Sequence, residues 1–309
     1  MSMTRRGFGG ALVAAGLTPV ARAFGQGAAI AGVSVAGPQS PILLFSKHLP
    51  DLGWSDLGAA VRQAGFEGVD LTVRPGGHVL PERVTDDLPR AVAAIRDAGC
   101  LVGMLTTGLT KPDATACAVL AAARAVDVPR LKAGYYRYAF ADVTRELAEA
   151  TTSFRGLVGM AAEAGVMLAY HNHSGYIGAP VWDALQMIEG LPKEATGLYF
   201  DVRHATVEGG DAGWRVALQM AAPHLRMLAM KDFYWEKARD GRWRVVDCPI
   251  GEGMVDWKTF GAELRRARFS GPISIHVEYE PGGRTPVEKR ERMLEAMVRD
   301  RTRLGALLA

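Results

Sequence analysis

The chain has 309 residues, and its 36 lysines and arginines exceed its 33 aspartates and glutamates by a formal charge of +3. Its three cysteines form no CxxC pair and are interpreted as packing residues. No apolar run beyond the N-terminal region approaches the length that spans a bilayer, which excludes an integral membrane protein with later spans.

The first predicted element is an export signal over residues 1–23. It contains the pair Arg5-Arg6, a weakly apolar stretch over Ala11–Leu17, and the small-x-small pattern Ala21-Arg22-Ala23. This order is typical of a twin-arginine signal peptide, and the apolar stretch is too short to anchor the chain in a membrane. We therefore predict export to a bacterial periplasm and a single domain over residues 24–309.

Loss of this segment changes the charge of the chain. Arg5, Arg6 and Arg22 leave with it and no acid does, so the mature chain carries 33 basic and 33 acidic side chains. A formally neutral protein shows no electrostatic signature of a nucleic-acid or anionic-lipid partner. We expect neither nucleic acid nor a membrane as a partner.

Eight short apolar runs follow from about residue 41, each separated from the next by an amphipathic stretch. The predicted strands are Ile42–Ser46, Gly68–Val73, Val102–Thr106, Arg130–Ala133, Met167–His171, Gly197–Asp201, Met227–Lys231 and Ile273–Val277. Helical periodicity is found near 86–98, 113–126, 142–164, 181–190, 212–222 and 286–308, and Ser55 and Asp256 are predicted to cap two further helices. Strand–helix alternation repeated eight times predicts an α/β fold, a closed (β/α)8 TIM barrel or a doubly wound sheet, and the count favours the barrel.

Ionisable residues gather where the predicted strands end. They are Arg74 after the second strand, His171 and His173 at the fifth, Asp201 and His204 at the sixth, Lys231 and Asp232 at the seventh, and Glu278 at the eighth. In a (β/α)8 barrel these ends converge on one mouth, where active sites lie. This placement excludes the doubly wound sheet and predicts a functional site at the mouth, with Arg74 among its substrate-binding groups.

The fifth and sixth predicted strands offer candidate metal ligands. His171 and His173 share one face of their strand because side chains on a strand alternate, and two imidazoles at a strand end favour metal binding over a structural role. Asp201 emerges from an apolar strand and needs a partner, either a metal ion or a neighbour such as Arg203. His204 suits a hydrogen bond to substrate or support of a ligand.

The seventh and eighth strands contribute a cation and a second carboxylate. Glu278 shares the inward face of its strand with His276 and is predicted to be a metal ligand that can also act as a base. His276 lies one layer deeper, and a structural role is as good an interpretation as a functional one. Lys231 either polarises a substrate carbonyl or pairs with Asp232 or Glu252.

These residues carry a family resemblance. The run His171-Asn172-His173-Ser174-Gly175, then Asp201-x-x-His204, Lys231-Asp232, Gly251–Trp257 and Glu278, resembles the sugar phosphate isomerase/epimerase superfamily from about residue 41 to 280. This xylose isomerase-like barrel group includes inosose dehydratases, ketose 3-epimerases and endonuclease IV. The resemblance implies a xylose isomerase-like barrel with a divalent metal ion, a sugar-like substrate, and chains that can pair as homodimers.

The resemblance also assigns a ligand set. In the epimerases of the group, glutamate, aspartate, histidine and glutamate from strands five to eight hold one metal. Asp201 and Glu278 match two of these, whereas His171 stands in place of the first glutamate and Ala229 in place of the histidine. Imidazole and carboxylate together suit Mn²⁺, Co²⁺, Zn²⁺ or Fe²⁺ better than Ca²⁺, with His171, Asp201 and Glu278 as ligands and His173 or His204, or solvent and substrate, completing the shell.

The expected function is a metal-dependent isomerase or epimerase that acts on a sugar or cyclitol through an enediolate. Glu278 or one of the histidines, His171 first among them, takes the proton, and Lys231 assists the developing oxyanion. His173, His204 and Lys231 are also expected to bind substrate. Lyase or dehydratase chemistry on a keto-sugar or 3-keto-glycoside is the alternative, as is a non-catalytic periplasmic sugar-binding protein.

Two further expectations narrow the substrate. Export favours a free sugar, a cyclitol or a 3-keto-glycoside over a sugar phosphate. A DNA-repair role is disfavoured because Ala229 and Asp247 stand where zinc-binding histidines are expected and the mature chain is neutral.

Overall fold

The computed structural model describes residues 40–308, and within them ten β-strands are found. In chain order they are β1 (Ile42–Phe45), β2 (Gly68–Val73), β3 (Leu101–Thr107), β4 (Arg130–Lys132), β5 (Met167–His171), β6 (Thr196–Asp201), β7 (Leu225–Met230), β8 (Asp232–Lys237), β9 (Trp243–Cys248) and β10 (Ile273–Ile275). Strands β1 to β7 follow one another around a closed parallel barrel, which β10 completes between β7 and β1. The predicted (β/α)8 TIM barrel and its eight strands are confirmed.

Eight α-helices follow the barrel strands in this part of the chain. They are α1 (Trp54–Gln63), α2 (Val84–Asp97), α3 (Ala114–Ala125), α4 (Val143–Ala164), α5 (Val181–Ile188), α6 (Val202–Ala221), α7 (Trp257–Arg266) and α8 (Pro286–Leu308). Asp256 caps α7 as predicted, by accepting a hydrogen bond from the Thr259 N–H. The prediction for Ser55 was wrong: α1 begins at Trp54 with Gly53 as its N-cap, so Ser55 lies inside the helix.

Helix α6 begins ten residues earlier than the periodicity predicted. Asp201, the last residue of β6, is its N-cap and accepts a hydrogen bond from the His204 N–H at 3.0 Å. The segment after it contains Gly209 and Gly210, and Gly210 breaks the helix with a φ of 62°. Because glycine is a poor helix former, these two residues interrupt the helical pattern, and the first turns of α6 were not predicted. Because the helix starts after Asp201, His204 lies in its first turn rather than in a loop.

The hydrophobic core has two parts, one outside the barrel strands and one inside them. The larger lies between the barrel and its helices, and a smaller cluster fills the inside of the barrel with Leu43, Met104, Ala169, Tyr199, Met227 and Ala229. Neighbouring strand residues enter different layers, as Leu43 and Leu44 do, because side chains on a strand alternate. The inner cluster fills the barrel below the mouth.

The hairpin of β8 and β9 lies outside the barrel and was not predicted. The hairpin begins at Asp232. The carboxylate of this residue accepts hydrogen bonds from the N–H groups of Phe233, Gly251 and Gly253 and from the Trp257 indole. A Cβ atom at Gly253 would lie 2.2 Å from the Asp232 Oδ1 atom, so this position requires glycine. Asp232 therefore anchors the loop from β9 to α7.

The predicted export signal over residues 1–23 lies outside the described residues and stays a prediction. In the described part, no helix is both long enough and apolar enough to cross a membrane.

Candidate active site at the mouth of the barrel

A cavity of about 280 Å³ opens at the C-terminal ends of the barrel strands. Predicted residues that line it are Arg74, His171, His173, Lys231 and Glu278; the others are Phe45, Lys47, Thr106, Lys132, Tyr135, Tyr176, Tyr199 and His276. This volume lies near the lower end of the range for small-molecule pockets. The cavity therefore suits a small polar ligand.

Asp201 is the centre of a cluster of polar side chains on the β5–β7 side of the mouth. Its buried Oδ2 atom lies 3.2 Å from the Lys231 Nζ atom, 3.4 Å from His171 Nε2 and 3.7 Å from His204 Nε2. The ammonium group of Lys231 offsets the desolvation of this carboxylate. Lys231 thus pairs with Asp201 and not with Asp232, which is already bound in the loop.

Asn172 holds the ends of β5 and β6 together. Its side-chain NH₂ donates to the Asp201 carbonyl at 3.0 Å, and its side-chain oxygen accepts from the Asp201 N–H at 2.8 Å. Two bonds to one backbone unit leave Asp201 little freedom. The sequence motif contains Asn172, but the strand pairing was needed to reveal this contact.

The histidines of the mouth are neutral at ordinary pH. Burial lowers the pKa of His171 and of His204 well below the usual 6.5, and nearby Lys231 acts in the same direction. Burial also lowers the pKa of His173, to about 4. A neutral imidazole has one nitrogen with a free lone pair and one N–H group. The hydrogen bonds around each ring determine which of its two nitrogens carries the hydrogen.

His204 presents an N–H group toward Asp201. The Arg203 guanidinium, which can only donate, lies 2.9 Å from His204 Nδ1, so that nitrogen accepts and Nε2 carries the hydrogen. The Nε2 atom is buried and has no hydrogen-bond partner among the described residues. Arg203 is held in turn by Asp247 of the hairpin at 2.6 Å. In this tautomer His204 offers Asp201 an N–H group rather than offering a metal ion a lone pair, and His204 does not line the cavity.

His171 and Asp201 fit a divalent metal ion. Together with His204 they form a buried group whose ligand atoms lie within 4.8 Å of one another. The separation of 3.4 Å between His171 Nε2 and Asp201 Oδ2 matches that of two ligands of one ion, roughly 3.0–3.4 Å for bonds near 2.1 Å. A nitrogen and a carboxylate oxygen suit Mn²⁺, Co²⁺, Zn²⁺ or Fe²⁺.

The His171 ring has a partner on its other side. Its Nδ1 atom lies 3.0 Å from the Tyr135 hydroxyl, which can accept the Nδ1–H and leave the Nε2 lone pair free for a metal. Burial raises the pKa of Tyr135 well above its usual value, so the phenol stays neutral. Sequence reasoning missed Tyr135, since it lies past the end of β4.

Glu278 lies at the open side of the cavity, outside this three-residue group. Its carboxylate accepts two hydrogen bonds from Lys47 Nζ, at 2.7 and 3.1 Å. Burial raises the pKa of Glu278, but the charges of Lys231 and Lys47 outweigh burial and hold it below its usual value. Glu278 is therefore ionised. Lys47 was missed, although it follows β1 as the predicted residues follow their strands.

A buried carboxylate beneath the cavity was also missed. Asp70, in the middle of β2, accepts hydrogen bonds from Thr106, Ser274 and Tyr199 at 2.7, 2.8 and 3.3 Å. Burial raises its pKa to about 6 despite these bonds. The Tyr199 hydroxyl also contacts His276 Nε2 at 3.0 Å, which makes His276 part of this supporting network. The sequence feature that could have identified Asp70 is an acidic residue inside an otherwise apolar strand.

Comparison with known proteins places the fold. The family model described as xylose isomerase-like TIM barrel matches residues 58–299. No curated protein matches the chain in sequence.

Several solved structures resemble the chain at low identity. A xylose isomerase-like TIM barrel protein from Mycobacterium smegmatis, in complex with magnesium, is 16% identical with a TM-score of 0.63 and covers 87% of this chain and 98% of its own. A 3-keto-D-glucoside 4-epimerase from E. coli is 14% identical (TM-score 0.62; 84% and 99% covered). A probable 3-DHS dehydratase from Bacillus anthracis is 15% identical (TM-score 0.61; 82% and 97%).

Proposed function

We propose that this chain, which belongs to the xylose isomerase-like TIM barrel family, is a metal-dependent isomerase or epimerase acting on a sugar or cyclitol. The observation that carries the proposal is the convergence of His171, Lys231 and Glu278 on one sugar-sized cavity, with the buried Asp201 in contact with His171 and Lys231. Enolisation next to a carbonyl needs an electrophile for the oxygen and a base for the carbon acid. This mouth contains groups for both tasks.

The electrophilic side lies at β5–β7. A divalent ion held by His171 and Asp201 would supply Lewis-acid polarisation of the carbonyl. The Lys231 ammonium lines the cavity and is placed to donate to the oxygen on which the negative charge of the enediolate develops. The Nε2–H of His204 is a further donor behind it.

The proton acceptor is Glu278. It is ionised, it lines the cavity, and Lys47 holds its carboxylate in place. His173 offers a second acceptor: its Nδ1–H donates to the Ser174 carbonyl at 2.9 Å, which leaves the lone pair on Nε2. Return of the proton to the neighbouring carbon gives an isomer, and return to the opposite face of the same carbon gives an epimer.

A lyase or dehydratase reaction is the second candidate. Among the described residues that line the cavity, Glu278 is the one carboxylate. Elimination of a β-substituent from an enediolate needs one carbon base, whereas the paired-glutamate mechanism implied by the family resemblance needs two. A keto-sugar or 3-keto-glycoside would be the substrate.

Deuterium incorporation tests the proposal. Wild-type protein is incubated in D₂O with ketohexoses, inososes, 3-keto-glucosides and keto-uronates, with added Mn²⁺, Co²⁺ or Zn²⁺ and, in separate incubations, with a chelator. We expect metal-dependent deuterium at a carbon beside the carbonyl, lost in Asp201→Asn and kept in the surface variant Asp211→Asn. The product separates an epimerase from a lyase. Sugar binding without exchange under any of these conditions would instead establish a binding protein.

We also propose a periplasmic location, supported by the twin-arginine pattern of residues 1–23. Fractionation of cells expressing the full chain, compared with an Arg5→Lys/Arg6→Lys variant, tests it. Equal amounts of both proteins in the periplasm would contradict twin-arginine export.

A further inference from the structure

The basic side chains that line the cavity fall into two classes. Lys231 and Lys47 each have a carboxylate partner, Asp201 at 3.2 Å and Glu278 at 2.7 Å. Arg74 and Lys132 have none: within residues 40–308, no carboxylate lies at ion-pairing distance from either. The unpaired cations follow β2 and end β4, on the other side of the mouth.

Both unpaired cations lie over aromatic rings. Lys132 Nζ is 3.3 Å from the centre of the Tyr135 ring, and the Arg74 guanidinium carbon is 5.9 Å from that of Phe45. Cation–π attraction contributes less than a buried charged partner does. Lys132 is only 1% exposed, so bulk water solvates its side chain little. The two side chains thus lack a carboxylate partner among residues 40–308, and an anionic ligand would stabilise the ammonium form of Lys132.

The two cations also disfavour each other. Burial lowers the pKa of Lys132 well below its usual value, and the charge of Arg74 lowers it further, while Asp70 acts in the opposite direction. Like charges gathered in one wall of a cavity raise the free energy of the unliganded protein unless an anion joins them.

The net charge of the cavity also favours an anionic ligand. Four basic side chains and one acidic side chain line it. A divalent ion at His171 and Asp201 would add positive charge. A neutral sugar offsets none of it, whereas a sugar that carries an anionic group offsets part of it on binding.

We propose that the substrate is a sugar acid, whose anionic group binds between Arg74 and Lys132 while its carbonyl lies toward Lys231 and Asp201. This inference rests on the proposed function and names its substrate class. The guanidinium group matches a carboxylate or phosphate with two parallel hydrogen bonds, and Lys132 adds a third donor from a dry wall. Carboxylate and phosphate share this chemistry, and predicted export favours the carboxylate.

A rival explanation is that these cations only stabilise the enediolate. In that case Arg74 and Lys132 would act on turnover and leave ground-state binding of acids and neutral sugars equal. The sugar-acid proposal requires a difference in the binding of the unreacted ligand. Calorimetric titration of the Mn²⁺-supplemented protein separates the two explanations.

The probes are sugars that differ only at C6: D-galactose, D-galacturonate and D-galactose 6-phosphate, with the corresponding glucose set. We expect at least one uronate to bind at least tenfold more tightly than its neutral parent. Arg74→Gln and Lys132→Met should each reduce this ratio to threefold or less. Arg90→Gln should preserve it, because Arg90 stacks on Trp54 outside the cavity.

Three other results would reassign or overturn the subsite. Tighter binding of the 6-phosphates than of the uronates would assign the same subsite to a phosphate. Equal binding of acids and neutral sugars, or a ratio unchanged in both variants, would overturn the subsite. Borohydride trapping of a keto-sugar on Lys132 would also overturn it, since that lysine would then be a nucleophile. None of these results decides the deuterium test, which measures exchange at carbon rather than ground-state binding and includes both neutral and acidic substrates.

Discussion

The two sides of the barrel mouth differ in how their charges are compensated. On the β5–β7 side, Asp201 is bound by Lys231, by the His204 N–H and, through its backbone, by Asn172. On the β2–β4 side, Arg74 and Lys132 face aromatic rings and each other. A self-compensated side is rigid before ligand arrives, which suits chemistry. An uncompensated side gains most when a ligand binds, which suits recognition.

Replacing Asp201 should have the largest effect. Asp201→Asn keeps the shape of the side chain but removes a predicted metal ligand and the partner of Lys231. We expect deuterium exchange to fall by at least about 10³-fold, equal to about 4 kcal/mol in the barrier. The exchange rate measured at saturating Mn²⁺ checks this. A rate within tenfold of wild type would place the chemistry elsewhere.

The lysines give the sharpest contrast in stability. In metal-free protein, Lys231→Met leaves the buried Asp201 charge unpaired and should lower the free energy of unfolding by about 3 kcal/mol. Lys132→Met removes a buried amino group that has no carboxylate partner, so the free energy of unfolding should stay the same or rise by about 1 kcal/mol. Urea unfolding of both variants measures this. Equal losses in both would remove the distinction between the two sides.

Asp70 gives a pH-dependent test of the floor beneath the mouth. Its pKa rises from 3.8 in the unfolded chain to about 6 in the fold, so its stabilising contribution is complete below about pH 3.8 and is lost as pH rises through 6. Relative to Asp70→Asn, wild type should lose up to about 3 kcal/mol of stability between pH 4 and 7. Paired urea titrations follow this difference. A difference that is flat with pH would contradict the buried, proton-sharing environment of Asp70.

Tyr135 should have the smallest effect of the four. Tyr135→Phe removes the hydroxyl that fixes the His171 ring, and loss of such a partner weakens metal affinity by about 10–100-fold. Competition with a chromogenic chelator measures the affinity for Zn²⁺. The neighbouring Tyr136 donates to the Thr110 carbonyl instead, so Tyr136→Phe is the matched control. Equal affinities for both variants would show that His171 needs no support from Tyr135.

The barrel and the end of it that carries the candidate site could be predicted because they depend on local patterns. Alternation along the strands placed His171 with His173 and Glu278 with His276 on shared faces, the strand ends brought Asp201 and Lys231 to the same mouth, and eight strand–helix repeats predicted a closed barrel. The helix start at Asp201 was missed because Gly209 and Gly210 interrupt the periodicity. Helix existence is thus easier to predict than helix boundaries.

The partners of these residues could not be predicted, because they join distant segments. The pairing of Lys47 with Glu278 brings together the ends of β1 and β10, which meet only on closure of the barrel. The tautomer of His204 depends on Arg203, whose position depends on Asp247 in an unpredicted hairpin. Residue type and strand position give the candidates, and tertiary contacts decide their roles.

Anomalous diffraction from crystals grown with Mn²⁺ tests the central claim most directly. We predict a peak at the mouth, about 2.0–2.3 Å from His171 Nε2 and from a carboxylate oxygen of Asp201, and the same map shows whether Glu278 leaves Lys47 to join it. A fully occupied peak elsewhere with none at the mouth, or no peak at saturating Mn²⁺, would contradict the metal-dependent function proposed for this barrel.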